Sequence, residues 1–138
     1  MQIDELIETF ELITEWEDRY RILIDLGKKL PELSESEKTE ANRVQGCTSQ
    51  VWLIPEVEPG QPPRLLFRAD SDSFIVKGLL AIILLTYSGK TPAEIVATDI
   101  GEIFTRLGLQ QNLSPNRRNG FYATVERIKQ LAAAHMAA

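Results

Sequence analysis

Cys47 is the only cysteine among 138 residues, and it stands in Asn42-Arg43-Val44-Gln45-Gly46-Cys47-Thr48-Ser49-Gln50-Val51-Trp52, between a glycine and small hydroxyl residues. A cysteine kept for packing behaves as a small hydrophobe and keeps apolar company. Here Gly46 permits a turn with positive φ, and polar side chains follow until an alternating stretch opens at about Gln50. The thiol is therefore predicted at a loop tip just before a strand. Its chemistry there is nucleophilic. An ordinary pKa of about 8.5 leaves only a few per cent thiolate at neutral pH. Arg43 and the backbone N–H groups around Gly46 are placed to favour the charged form. Such a group can attack a sulfur atom held by another protein, because that exchange needs a nucleophile, a leaving group and access but no oxyanion-stabilising apparatus. The competing reading is a buried cysteine at the end of a strand, the commoner fate of this residue type. The loop-like neighbours bring the two into balance.

Other chemistries lack their residues. One Cys and one His, the latter at position 135, are too few for a closed four-ligand zinc site, so no metal is expected. A cysteine hydrolase needs a base beside its nucleophile, and nothing in the sequence near His135 would orient it. Gly101 and Gly108 lie between and after helical stretches, not in a strand-to-helix turn, so no phosphate loop or bound cofactor is indicated. Asp70 and Asp72 are spaced as acid/base partners could be, but helix capping is the simpler role for them.

The length suits a single domain, residues 1–138, with a core that needs no disulfide. A net charge of −5, with no basic run longer than a pair such as Arg117-Arg118, argues against nucleic acid as a partner. The start, Met1-Gln2-Ile3-Asp4-Glu5, lacks a basic region followed by an apolar core, so no signal peptide is expected. The apolar run from Gly78 to Tyr87 falls short of the ~20 residues that cross a bilayer. A soluble cytoplasmic protein, away from membranes, is the expectation.

The elements that would present the cysteine follow from periodicity. Ile3, Leu6, Ile7, Phe10 and Ile13 predict a helix, and Thr14 with Glu17 predicts a capping box for a second one stopped by a left-handed Gly27. Residues 31–41 read as an exposed polar loop. Val51 to Val57 and Leu65 to Ala69 alternate on either side of Pro59-Gly60-Gln61-Pro62-Pro63, a β-hairpin, with Asn42 to Gln45 as a possible third strand. A buried helix from about Ser73 to Tyr87 stops at Gly89, with Asp70 or Asp72 as its cap. Thr91-Pro92-Ala93-Glu94 and Asp99 open two short helices, the second ending at Gly108. Ser114-Pro115 opens the last, which frays after about Ala134.

The segment Val44-Gln45-Gly46-Cys47-Thr48-Ser49-Gln50-Val51-Trp52 closely resembles the cysteine segment of the SufE family of sulfur-acceptor proteins. Leu30-Pro31-Glu32-Leu33, Asp70-Ser71-Asp72, Ile75-Val76-Lys77-Gly78-Leu79, Thr91-Pro92 and Leu113-Ser114-Pro115-Asn116-Arg117 look like that family's landmarks in the family's order. Arg118, Asn119 and Phe121 depart from it. The resemblance implies an α+β fold of the SufE/IscU kind, a small antiparallel sheet of two to three strands packed against about six helices. It implies that Cys47 accepts persulfide sulfur from a pyridoxal-phosphate cysteine desulfurase of the Suf or Csd type, activates that enzyme, and passes the sulfur to iron–sulfur scaffold proteins. The chain would then be a sulfurtransferase component rather than a free-standing enzyme. Supporting or partner-binding roles fall to Arg43, Gly46, Asp72 and Arg117. The alternative is a non-covalent adaptor that binds a desulfurase or a cluster intermediate.

Overall fold

The computed structural model describes residues 2–46 and 49–136. Among them are seven α-helices and two strands: α1 (Ile3–Leu12), α2 (Trp16–Lys28), β1 (Val51–Glu58), β2 (Arg64–Ser71), α3 (Phe74–Tyr87), α4 (Pro92–Ala97), α5 (Ile100–Arg106), α6 (Leu109–Asn112) and α7 (Pro115–Met136). This is an α+β fold. The helix beyond the six expected is α6, a single turn that starts directly after a left-handed Gly108 with φ 75°.

The strands pair antiparallel, Val51 opposite Ser71 through Glu58 opposite Arg64. Val51, Leu53, Leu65, Phe67 and Ala69 point into the core, as alternation predicts. Val51 accepts a backbone bond from Val44 and Leu53 donates one to Asn42, both 2.8 Å, so odd-numbered residues of β1 turn their backbone groups away from β2. The possible third strand is thus reduced to one bridge, Arg43 opposite Trp52. Pro55, two residues beyond Leu53, faces the same outer margin and costs the ladder no hydrogen bond.

Helix α3 is the centre of the core. Ile75, Leu79, Leu80, Ile82 and Ile83 are each at most 3% exposed. It crosses α2 so closely that a Cβ on Gly78 would lie 2.2 Å from the Leu23 carbonyl oxygen, and one on Gly27 would lie 2.6 Å from the Gly78 nitrogen. Gly27 is therefore not the left-handed stop predicted for α2. It lies within the helix, where its missing side chain lets the two backbones touch.

Two further expectations are overturned. The Thr14 capping box does not form: Glu15 occupies the N-cap of α2 with no side-chain bond. The polar stretch 31–41 is not free loop, because Ser34 and Glu37 form a capping box around a turn of 3-10 helix, Glu35–Glu37. Arg68 on β2 grips Glu37 and also Glu56 on β1, holding that turn to the sheet. The Glu37 carboxyl is held down at about 2, first by Arg68 and then by the Ser34 N–H. The Thr91 and Glu94 capping box and the Asp99 cap form as predicted. Helix α7 runs on to Met136, and His135 reaches back to the Leu131 carbonyl at 2.8 Å. Among the described residues no helix is long and apolar enough to cross a membrane.

Candidate functional site

Cys47 and Thr48 lie outside the described residues, so the site is built from the backbone that brackets them. On the side before the cysteine, Val44 and Asn42 bond to β1. On the far side, Gln50 is held three times: its N–H donates to Asp72 Oδ1 at 3.2 Å, and its carbonyl accepts from Ser71 Oγ at 2.7 Å and from the Asp72 N–H at 3.4 Å. The backbone that leads into the cysteine segment at Val44 and out of it at Gln50 is thus fastened to the same end of the sheet. Gly46 has φ +90°, the left-handed conformation its position in the sequence suggested. A Cβ there would meet only the Ala123 side chain of α7 at 3.5 Å, so backbone conformation rather than space requires glycine.

Asp70 and Asp72 do not cap α3. Ser73 occupies that position, with no side-chain bond. Strand β2 continues through Ser71, which places both carboxylates beside other extended segments. Asp70, 3% exposed, accepts the Leu33 N–H at 3.1 Å and the Ser71 N–H at 2.8 Å, and it faces Lys77 at 3.3 Å and Lys38 at 3.7 Å. Burial pushes its carboxyl up, but the two N–H groups and Lys77 outweigh burial and hold it below the usual carboxylate range. Lys38 also lies over the Trp52 ring at 5.4 Å. The turn at 33–38, β1, β2 and α3 are therefore joined through one buried carboxylate next to the feet of the cysteine loop.

Two hollows flank this loop. One is a cavity of about 40 Å³ walled by Val51, Val76, Leu79, Leu80, Ile83 and Phe121, with Ser49, Asn116 and Arg117 among its polar lining. That is room for roughly two or three water-sized atoms, whereas small-molecule sites start at about 300 Å³. The other is an open groove of about 450 Å³ between the segment Glu40–Gln45 and the α7 residues Ala123, Glu126, Arg127 and Gln130. Arg43 lies in that groove, with Glu40 at 3.8 Å. The Arg117 guanidinium forms no hydrogen bond or ion pair with a described side chain, while its backbone N–H reaches the Ser114 hydroxyl at 3.3 Å.

The structure thus brings Gly46, Asp72 and Arg117 around one loop, and places Arg43 on the opposite flank from Arg117. Sequence reading missed Lys38, Asp70 and Lys77 as a group, because nothing local links residues 38, 70 and 77. The Ser34 to Glu37 turn did carry a signal, the serine and glutamate three apart that mark a capping box.

The sequence profile of the SufE family, described as an Fe-S metabolism associated domain, matches residues 4–132. A SufE-like protein of Rhizobium etli is 49% identical over 138 residues, covering 99% of this chain and 93% of that one. A SufE-like protein of Rhizobium meliloti is 46% identical over 131 residues, covering 94% of each. Among solved structures, the solution structure of a hypothetical protein from Thermus thermophilus superimposes with a TM-score of 0.77 at 19% identity, covering 99% of this chain and 96% of that one. At that identity the likeness speaks to the fold alone.

Proposed function

Because this chain belongs to the SufE family, whose domain is associated with Fe–S metabolism, we propose that Cys47 accepts sulfur from a pyridoxal-phosphate cysteine desulfurase, stimulates that enzyme, and relays the sulfur to iron–sulfur cluster assembly. The observation that carries this reading is the largely apolar cavity lined by Ser49, two residues from the cysteine, whose volume of about 40 Å³ suits a few atoms rather than a metabolite. In the transfer, the Cys47 thiolate attacks the terminal sulfur of the donor's cysteine persulfide. A new S–S bond forms on Cys47, the donor's S–S bond breaks, and the donor cysteine leaves as a thiolate that takes up the proton given up by Cys47. The exchange is thiol for persulfide, with no net oxidation.

A carrier must also keep its cargo from small thiols. A largely apolar recess beside backbone fastened at Val44 and Gln50 suits a side chain that turns inward at rest and outward to a partner. A second thiol nearby would release the sulfur by forming a disulfide, and the chain has none. Asp72 fixes the foot at Gln50, Gly46 supplies the turn, and Arg117 offers a positive charge at the recess.

The test is intact-mass spectrometry of the chain after incubation with a cysteine desulfurase and L-cysteine. A gain of one sulfur atom on the native chain, lost in Cys47→Ser, is the expected result. Stimulation of the desulfurase by Cys47→Ser at the native level would mean a non-covalent adaptor instead.

A further inference from the structure

Ser71 ends β2 as a buried polar residue, 5% exposed. Its hydroxyl oxygen accepts the Ser73 N–H at 3.2 Å, which ties it to the backbone that opens α3. Its single proton goes to the Gln50 carbonyl at 2.7 Å, three residues past Cys47. A second acceptor stands close by. Asp72 Oδ1 lies 3.5 Å from the same oxygen and meanwhile accepts the Gln50 N–H at 3.2 Å. At 3.5 Å the approach is too long for a full hydrogen bond while Gln50 is in place. A buried hydroxyl left without an acceptor costs free energy, so a serine that could bond to Gln50 alone would resist letting it go. Here the departure of Gln50 frees Asp72 at the moment it frees Ser71, and each offers what the other has lost. Rotation of the hydroxyl proton, with the oxygen still held by Ser73, aims the donor at the carboxylate.

We propose that Ser71 is a positioning residue for the Cys47 thiol: its hydroxyl holds the exit of the cysteine segment at Gln50 while no partner is bound, and turns to Asp72 when Gln50 is drawn away. The purpose of this exchange rests on the acceptor reading of Cys47. Val51 keeps its place in both arrangements, because it accepts the Val44 N–H at 2.8 Å and stands opposite Ser71 in the sheet. Release of Gln50 therefore lengthens the unheld stretch by a single residue, about 3.5 Å of chain at most. Reacting atoms must approach to about 3–3.5 Å, so one residue of slack is the length that decides whether two sulfurs meet. Ser49, next to Gln50, lines the recess, so a held Gln50 also keeps that wall in place. Fastening at Gln50 then shields the thiol from small reagents, and its release costs no buried polar group its partner.

The experiment compares the full-length native chain with Ser71→Ala and Ser71→Thr. Because Cys47 is the only cysteine, the rate of alkylation by iodoacetamide reads that thiol alone. Ser71→Ala is expected to alkylate about fivefold faster than the native chain, the weight of one net hydrogen bond, and Ser71→Thr, which keeps the hydroxyl, to stay within twofold of native. Amide hydrogen exchange in the middle of α3 should be unchanged in both variants. After loading with a cysteine desulfurase and L-cysteine, Ser71→Ala should gain one sulfur atom by intact mass and lose it to added glutathione about fivefold faster than the native chain does. Alkylation of Ser71→Ala within twofold of native overturns the proposal. So does Ser71→Thr reacting as fast as Ser71→Ala, which would assign the effect to packing, and so does acceleration of the α3 amides in the same ratio, which would make the hydroxyl a support of the whole fold. The two readings fail separately. If the native chain gains no sulfur the acceptor reading falls while alkylation still decides the role of Ser71, and if the native chain gains sulfur but Ser71→Ala alkylates at the native rate, only the role of Ser71 falls.

Discussion

Helix α3 is held at its middle and at its start by opposite means. At the middle, Gly78 and Gly27 bring two backbones together with no side chain between them, and apolar residues close the crossing on both sides. At the start, Lys77 meets Asp70, and the adjoining end of β2 fastens the cysteine loop through Asp72 and Ser71. The first contact is fixed by shape, and shape cannot open by degrees. The second is a set of hydrogen bonds and ion pairs, each of which can exchange for water at a net cost of about 1 kcal/mol. Rigidity at the crossing and reversibility beside Gln50 are what the proposed relay of sulfur through Cys47 requires.

The largest break in this contrast is Gly78→Ala. The added methyl would sit 2.2 Å from the Leu23 carbonyl oxygen, so the helices must separate. A loss of at least about 3 kcal/mol in urea denaturation is expected. Asp70→Asn comes next, at about 2–3 kcal/mol, because the amide keeps the size but removes the charge that both lysines face. The Asp70 carboxyl titrates below its ordinary 3.8 in the folded chain. Its contribution is thus complete above that value and lost as pH falls through the lower folded one, so the gap between native and Asp70→Asn should close in acid.

Asp72→Ala should cost about 1 kcal/mol or less globally, since only the Gln50 foot is released. Its signature is local: faster amide hydrogen exchange at Gln50 with the core amides of α3 unchanged. The smallest effect belongs to Glu37, whose carboxyl falls from 4.5 to about 2 beside Arg68. The native chain should therefore lose a little stability between pH 4.5 and about 2. Glu37→Gln should remove that slope, and high salt should flatten it because the pair is partly exposed.

The hairpin, the buried helix and the Thr91 cap were legible because each is written in consecutive residues, through alternation, uniform hydrophobicity or a serine-like cap three before a glutamate. Gly27 misled because a glycine near the end of a helix signals a stop equally well, and only the position of Gly78 fifty-one residues later decides between stop and crossing. Asp70 and Asp72 misled for a related reason. An aspartate just before a helix is usually its cap, yet here the strand runs two residues further than its alternation suggested, and their partners are Leu33, Lys38, Lys77 and Gln50. The cysteine segment itself stood out by composition. The hollows on either side of it are made by α3 and α7, and no local pattern announces them.

Pro55 has a role that concerns neighbours rather than the fold. A ribbon of only two strands leaves its outer margin unpaired past Leu53, the kind of border on which a stray polypeptide can settle and start a fibre. With no amide proton to offer at residue 55, that border lacks one of the rungs an intruder would need, and the charged Glu56 and Glu58 beside it add repulsion towards acidic strangers. The sheet is in this way made unwelcoming along its open side.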